Sequence, residues 1–207
     1  MTGMPGASQD RPDGLRERKK ARTRAAIREH ALRLFRENGY QRTTVEKIAE
    51  AAEVSPSTFF RYFPTKEDLV LQDDMDTRMI AAFEQQPPEL GPIAAVRAAS
   101  RQMFASYSAA DMDLLRETTR LTMTVPEIRA RAMDEFARTI TVVAEAVAKR
   151  AGRSPDDLAV RVMAGAIIGV IMSITMPWEG WSDRQTMEDT FGRIEQGLAL
   201  LEAGLPL

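Results

Sequence analysis

Apolar residues recur at helical intervals along most of the chain, and no stretch is typical of a β-strand. Within residues 16–38, Ile27, Ala31 and Phe35 follow one another four positions apart, which places them on one face of a helix. The pair Asn38-Gly39 tolerates the left-handed conformation in which helices often end. The pattern predicts a first helix over about 16–38.

Two short helices are predicted next. Thr43 and Glu46 have the spacing of a capping box, and Ile48 and Ala49 then share one helical face. After a turn, Ser55 can cap a further helix and Pro56 suits its first position, because that position needs no backbone N–H donor. This third helix should stop at Phe63, since Pro64 follows.

The rest of the chain is predicted to be helical as well, which makes the fold all-α. A fourth helix runs from Thr65 to about Gln85, and Pro and Gly separate five later stretches. These stretches are expected at about 93–109, 112–124, 127–151, 156–176 and 184–203. We expect a disordered tail over 1–15, a DNA-binding domain over 16–66 with its helix-turn-helix at about 43–63, and an effector-binding and dimerisation domain over 67–207.

Composition excludes several classes of function. The 207 residues are 44% hydrophobic and 28% charged, which is typical of a globular protein. Cysteine is absent and His30 is the single histidine, so thiolate zinc sites, disulfides and multi-histidine metal sites are excluded. No catalytic set is evident, and we expect neither an enzyme nor a cofactor. The first 14 residues lack the apolar stretch of a secretory signal, which favours the cytoplasm.

Charge divides the chain into unlike parts. Residues 1–66 contain 14 Lys and Arg against 8 Asp and Glu, whereas residues 67–207 contain 14 against 22. A basic segment joined to an acidic body is what a DNA-binding head on a separate effector domain would show. From charge alone, a chance imbalance between the two parts of the chain explains these counts equally well.

The third helix has an inner and an outer face. Phe59 and Phe63 lie one turn apart on the inner face, while Ser57 and Arg61 lie opposite them. An exposed helix of this kind can enter the major groove of DNA, where an arginine can bind the O6 and N7 atoms of guanine. On this interpretation Ser57, Thr58 and Tyr62 contact bases or phosphates. Lys66 can hold a phosphate, although a solvated surface lysine is the simpler alternative.

The segments Thr43-Thr44-Val45-Glu46-Lys47-Ile48-Ala49 and Phe59-Phe60-Arg61-Tyr62-Phe63-Pro64-Thr65-Lys66 resemble the DNA-binding domain of TetR/AcrR-type regulators. The resemblance covers about residues 20–70. It implies an obligate dimer, usually a repressor, that a ligand bound in the C-terminal domain releases from its operator. The DNA-binding residues that it implies are Thr44, Ser55, Pro56, Ser57, Thr58, Phe60, Arg61, Tyr62 and Lys66.

Three positions depart from the usual pattern of that family. Glu53 replaces the common turn glycine, Ser57 replaces a frequent glycine, and Phe60 stands where a tyrosine hydroxyl normally reaches a phosphate. The loss of that hydroxyl puts the contact of Phe60 in doubt, but its packing is preserved.

Six basic residues lie within residues 16–24, at the start of the predicted DNA-binding domain and ahead of its helix-turn-helix. A basic arm in this position can reach phosphates or the neighbouring minor groove. The alternative is a frayed and solvated helix end.

The last two predicted helices indicate a dimer interface. Residues 162–178 are uncharged and have the length of a very short membrane span, but a charged amphipathic helix follows, so we expect no membrane partner. Small and apolar residues at intervals of three and four predict a four-helix interface between two copies, with an intramolecular core as the alternative. The predicted interface residues are Gly165, Ile168, Gly169, Met187, Phe191, Ile194, Leu198 and Leu201.

Methionine and aromatic residues of the middle helices can line a ligand cavity, although such a stripe is more often plain core. The candidate ligand residues are Met103, Phe104, Tyr107, Leu115, Arg116, Arg120, Met123, Phe136 and Met163. The two arginines lie one turn apart and suit an anionic headgroup, which favours a hydrophobic acid or an acyl-CoA-like effector. The alternative function is an activator or a DNA-binding protein without a small-molecule effector.

Overall fold

The computed structural model describes residues 12–71, 75–176 and 186–206, and within these ranges it is all-α, as predicted. The first four helices are α1 Pro12–Asn38, α2 Val45–Ala51, α3 Pro56–Tyr62 and α4 Asp68–Leu71. They are followed by α5 Met75–Glu84, α6 Pro92–Ser106, α7 Ala109–Thr124, α8 Pro126–Ala151, α9 Leu158–Thr175 and α10 Met187–Glu202. Residues 1–11 of the predicted tail lie outside the described residues. Helix α1 begins at Pro12, four residues ahead of the predicted start of the DNA-binding domain at residue 16.

The chain divides into two compact units between Val70 and Leu71. In the first unit, the apolar faces of α1, α2 and α3 meet in a closed core. Its fully buried side chains include Ile27, Phe35, Ile48, Phe59, Phe63 and Leu69. Apart from Leu69, which lies in α4, these are residues that helical periodicity places on inner faces, and burial of their apolar area holds α1, α2 and α3 together.

The helix starts follow from capping, with one shift of register. Ser55 caps α3 as expected, accepting a hydrogen bond from the backbone N–H of Thr58 at 3.1 Å. The cap of α2 is Thr44 and not Thr43, and the residue three positions after it is Lys47, so the predicted capping box of Thr43 and Glu46 is wrong. Thr43 is buried instead, and its hydroxyl lies 2.9 Å from the carbonyl oxygen of Gly39 and 3.2 Å from that of Leu34.

In the second unit, α9 and α10 pack against each other and α8 and α6 cover them. The core contains Val96, Ala99, Met103, Val147, Ala164, Ile167 and Leu198. Gly197 lets α10 approach α9 closely, because a Cβ atom there would lie 2.7 Å from Cγ1 of Val170. Arg97 of α6 adds ion pairs to Glu195 and Glu202 of α10.

Arg150, at the end of α8, holds the end of α5. Its guanidinium carbon lies 4.9 Å from the ring centroid of Phe83. Its Nη1 and Nη2 atoms donate hydrogen bonds to the carbonyl oxygens of Phe83 (3.1 Å), Gln86 (2.8 Å), Pro87 (2.9 Å) and Leu90 (3.3 Å). The side chain thus ties the last turn of α5 and the loop that follows it to the end of α8, adding donors to carbonyls of which Phe83 and Pro87 also accept backbone hydrogen bonds.

The apolar seam of α10 contributes to the core of its own protomer, and the predicted dimer interface stays a prediction. Leu198 is fully buried and Met187 is 5% exposed. Phe191 packs against Phe104 with 4.6 Å between ring centroids. The remaining seam residues, Ile194 and Leu201, pack against the same core, and Ile168 of α9 is buried as well. Core packing within the protomer therefore accounts for Met187, Leu198 and Ile168, whereas Phe191, Ile194 and Leu201 are only partly buried.

The other face of α9 is apolar, and the described part of the chain leaves it exposed. Leu158 is 77% exposed and Val162 is 61% exposed. A Cβ atom at Gly165 or Gly169 would meet no heavy atom within 4 Å, so the small residues do not receive α10 as predicted. Among the described residues α9 alone is long and apolar enough to cross a membrane, a test that core helices also pass.

Candidate nucleic-acid interface

The two faces of α3 separate as the sequence predicts. Phe59 and Phe63 are fully buried, whereas Ser57 and Arg61 are exposed and Phe60 is 51% exposed. The buried rings fix the rotation of α3 about its axis, because turning the helix would expose two aromatic side chains. The outer face is therefore held in one orientation, with a guanidinium and two hydroxyl-bearing residues directed away from the core.

Three hydroxyl groups lie together at the start of α3. The Oγ atom of Ser55 lies 2.9 Å from Oγ of Ser57 and 3.0 Å from Oγ1 of Thr58. Next to them, Pro56 occupies the first position of the helix. Free backbone donors and hydroxyls at a helix start attract anions, so this end of α3 can accept a phosphate.

Arg61 and Tyr62 lie side by side at the other end of α3. The guanidinium carbon of Arg61 is 5.3 Å from the ring centroid of Tyr62. The contact limits the freedom of the exposed arginine side chain. Such an arginine is suited to bidentate binding of guanine.

The turn between α2 and α3 contains a strained acidic residue. Glu53 has a φ of 53°, a left-handed conformation that disfavours residues with a side chain. The departure from the family's turn glycine thus has a structural consequence, and it also places a carboxylate in the turn of the helix-turn-helix.

Lys66 has a structural role that the sequence analysis missed. Its Nζ atom donates hydrogen bonds to the carbonyl oxygens of Tyr40 at 3.1 Å and Thr43 at 3.2 Å. The same atom lies 3.9 Å from the ring centroid of Tyr40. Lys66 therefore braces the turn between α1 and α2, and its predicted contact with a phosphate stays a prediction.

Tyr40 and Glu67 form a second link across this turn. The Tyr40 hydroxyl donates a hydrogen bond of 2.5 Å to the carboxylate of Glu67. Burial raises the pKa of Glu67, but this effect is outweighed by hydrogen bonds from Tyr40, from its own backbone and from Thr65, and by the charge of Lys66. The pKa of Glu67 therefore lies below its ordinary value. Thr44, the cap of α2, is exposed beside this brace.

The predicted ligand residues fall into separate environments. Phe104 and Tyr107 both pack against Phe191, while Met103 and Met163 belong to the core of the second unit. Leu115, Met123 and Phe136 are half-buried. Arg116 is exposed, and the guanidinium of Arg120 lies 2.9 Å from the carboxylate of Glu117. A contact of Arg120 with an anionic ligand would therefore compete with that ion pair.

Comparison with known proteins identifies both units. Residues 27–72 match the family described as "Bacterial regulatory proteins, tetR family", and residues 90–206 match the "MftR C-terminal domain". The HTH-type transcriptional regulator TcmR of Streptomyces glaucescens is 35% identical over 151 residues, which cover 70% of this chain and 67% of that protein. MftR of Mycobacterium tuberculosis is 26% identical over 164 residues, covering 78% and 82%.

A solved structure with the same fold has a bound ligand. It is Thermus thermophilus FadR, a TetR family transcriptional repressor in complex with lauroyl-CoA. The TM-score is 0.52 at 25% identity, and the match covers 89% of this chain and 95% of that chain. The matched families and relatives are transcriptional regulators, which are not enzymes.

Proposed function

Since the chain belongs to the tetR family of bacterial regulatory proteins, we propose that it is a homodimeric repressor that leaves its operator when a small molecule binds the second unit. It is a DNA-binding transcriptional regulator, and we expect it to act in the cytoplasm. One observation carries the DNA-binding geometry: α3 buries two phenylalanine rings and turns Ser57 and Arg61 outward.

We propose that α3 lies in the major groove. Arg61 reads a guanine, and the hydroxyl-bearing start of α3 meets the sugar-phosphate backbone. The remaining DNA-binding residues of this proposal are Thr44, Pro56, Phe60, Tyr62 and Lys66. The exposed ring of Phe60 packs against sugars or a thymine methyl, because it has no hydroxyl for a phosphate.

The uncovered face of α9 supports the homodimer. Leu158, Val162, Gly165 and Gly169 follow one another at intervals of four and three, which places them on one stripe of the helix. Large exposed apolar side chains beside small residues suit close packing against the same stripe of a second copy. Two heads joined in this way bind two half-sites about one DNA turn apart, or a multiple of it.

The effector is proposed to be a small hydrophobic or amphipathic molecule, such as an acyl-CoA. FadR of Thermus thermophilus supports this class, since it is a repressor that binds lauroyl-CoA. The flexible apolar side chains of the middle helices are suited to an acyl chain. The alternative is an activator, or a DNA-binding protein without an effector.

Fluorescence anisotropy tests the DNA-binding proposal. The duplex is taken from immediately upstream of the protein's own gene, beside a scrambled duplex and at several salt concentrations. Arg61→Ala should weaken selective binding by roughly 5- to 150-fold, whereas Arg129→Ala, an equal loss of charge at an exposed position of α8, should leave it unchanged. Equal binding of both duplexes by the wild-type protein would contradict sequence-specific recognition of this site.

Lauroyl-CoA added to the bound operator tests the effector. Dissociation at micromolar ligand would support a ligand-released repressor, and unchanged anisotropy would favour the alternative. The dimer is tested by the mass in solution of Val162→Glu, which should be that of a monomer. Leu114→Glu, at an exposed leucine of α7, is the matched control and should keep the dimer mass.

A further inference from the structure

The first helix extends well beyond the matched DNA-binding family. The family match begins at residue 27, but α1 begins at Pro12. Residues 14–22 are all exposed, so the core of the head does not account for this extension. Residues 14–22 contain five of the six basic residues found within 16–24, and their single acidic residue is Glu17. The extension is thus a basic helix that lacks a partner in the core.

Helical geometry places five of the six basic residues on two opposite faces, and Lys19 lies between them. Arg16, Lys20 and Arg24 are spaced four apart and form one stripe. Because each residue turns a helix by about 100°, Arg18 and Arg22 lie on the opposite side. The two pairs Arg16–Lys20 and Arg18–Arg22 therefore carry equal charge at nearly the same height of one helix and differ mainly in direction.

Arg24 shows which stripe turns toward α3. Its guanidinium carbon lies 5.3 Å from the ring centroid of Phe63, the residue that ends α3. The same side of α1 continues into Ile27 and Ala31, which are fully buried in the head core. Lys20 and Arg16 extend this line by about 6 Å and about 12 Å along the helix axis.

We propose that Arg16 and Lys20 bind phosphates of the operator beside the segment that α3 occupies, so that α1 lengthens the contact of each head with the duplex. The inference rests on the proposed DNA binding by α3. The partner is double-stranded DNA, because a stripe of cations with no side chains suited to recognising bases matches the regularly spaced phosphates along a duplex. The ion pair of Lys20 with Glu17, at 4.0 Å between exposed side chains, is weak enough for a phosphate to replace it.

The salt dependence of operator binding tests this contact. Each neutralised phosphate contributes about 0.9 to the slope of log K against log salt. The double variant R16Q/K20Q should lower the magnitude of this slope by about 1.8 for each bound head. If variant and wild type bind DNA equally at 1 M salt, the variant should bind about 60-fold more weakly per head at 0.1 M salt. Hydroxyl-radical footprints of this variant should lose protection at the backbone positions beside the segment that α3 contacts.

The matched control is R18Q/R22Q, which removes the same charge from the opposite face. It should keep most of the wild-type slope and the full footprint. Glutamine keeps a high helix propensity, and circular dichroism checks that both variants retain the helix content of the wild type.

Each outcome has a distinct meaning. Equal losses in the two double variants would overturn the assigned face and indicate a diffuse charge effect. Wild-type slopes in both would overturn the contact itself while α3 binding, measured through Arg61→Ala, still stands. If the wild-type protein discriminates no DNA, the proposed function fails and this inference fails with it.

Discussion

Replacing Arg150 by alanine should unfold the second unit at markedly lower urea concentration. The guanidinium donates to four carbonyl oxygens around the end of α5, and a methyl group cannot replace any of these donors. Hydrogen bonds to charged groups contribute about 1.5–3 kcal/mol each. Arg150 is half-buried, so water can hydrate part of this region; two bonds at the lower end of that range give about 3 kcal/mol.

Urea unfolding followed by circular dichroism, at one fixed protein concentration, measures this loss. A loss of about 3 kcal/mol lowers the melting temperature of a chain of this length by roughly 6 to 12 °C. Arg150→Lys should recover only part of the loss, because an ammonium cannot serve four carbonyls through one planar fork.

The neighbouring Lys149 provides the control. Its ammonium lies 2.6 Å from the carboxylate of Glu84, but the two side chains are 73% and 43% exposed. Lys149→Ala therefore removes the same charge from the same helix end at a cost of at most about 1 kcal/mol. If Arg150→Ala and Lys149→Ala unfold at the same urea concentration, the assignment of Arg150 as the clamp of α5 is wrong.

Three further substitutions test other features. Glu53→Gly should raise the free energy of unfolding by up to about 1 kcal/mol, because glycine accepts a positive φ without strain; thermal melting measures this effect. The same substitution removes a carboxylate that repels phosphates, so it should also tighten DNA binding, which anisotropy measures. Gly197→Ala should cost about 1–3 kcal/mol in urea unfolding, since its Cβ would crowd α9. Tyr40→Phe should lower the free energy of unfolding at pH 7, and the difference from wild type should shrink below pH 4.5, the ordinary pKa of Glu67. The reason is that a carboxylate whose pKa is lowered in the folded state stabilises the fold above its unfolded pKa. This contribution is lost as the pH falls through the folded pKa. A pH-independent difference would refute the assigned hydrogen bond.

The fold of the head follows closely from local sequence. Ser55, Pro56 and the spacing of Phe59 and Phe63 determine where α3 starts and which side it buries. These features depend on residues within one turn of each other, which a sequence displays directly. The family comparison confirms the resemblance to tetR regulators that the same segment indicates.

The faces of the last two helices could not be assigned from periodicity. A seam such as Phe191 to Leu198 reveals that α10 has an apolar side, but the pattern is the same whether that side meets its own core or a second copy. The decisive feature is Gly197, whose missing side chain lets α9 approach. Lys66 is a similar case, because its acceptors at Tyr40 and Thr43 are more than twenty positions away.

The two-sided character of α9 has a consequence for mutational tolerance. One side of the helix lies in the protomer core through Ala164 and Ile167, and the other bears Val162 and Gly169. In the proposed homodimer a second copy covers that other side, which leaves α9 few positions at which a bulky or charged residue is harmless. On that proposal, a saturation library selected for operator binding should be depleted around the whole circumference of α9, whereas a helix with one solvated side would show depletion at every third or fourth position.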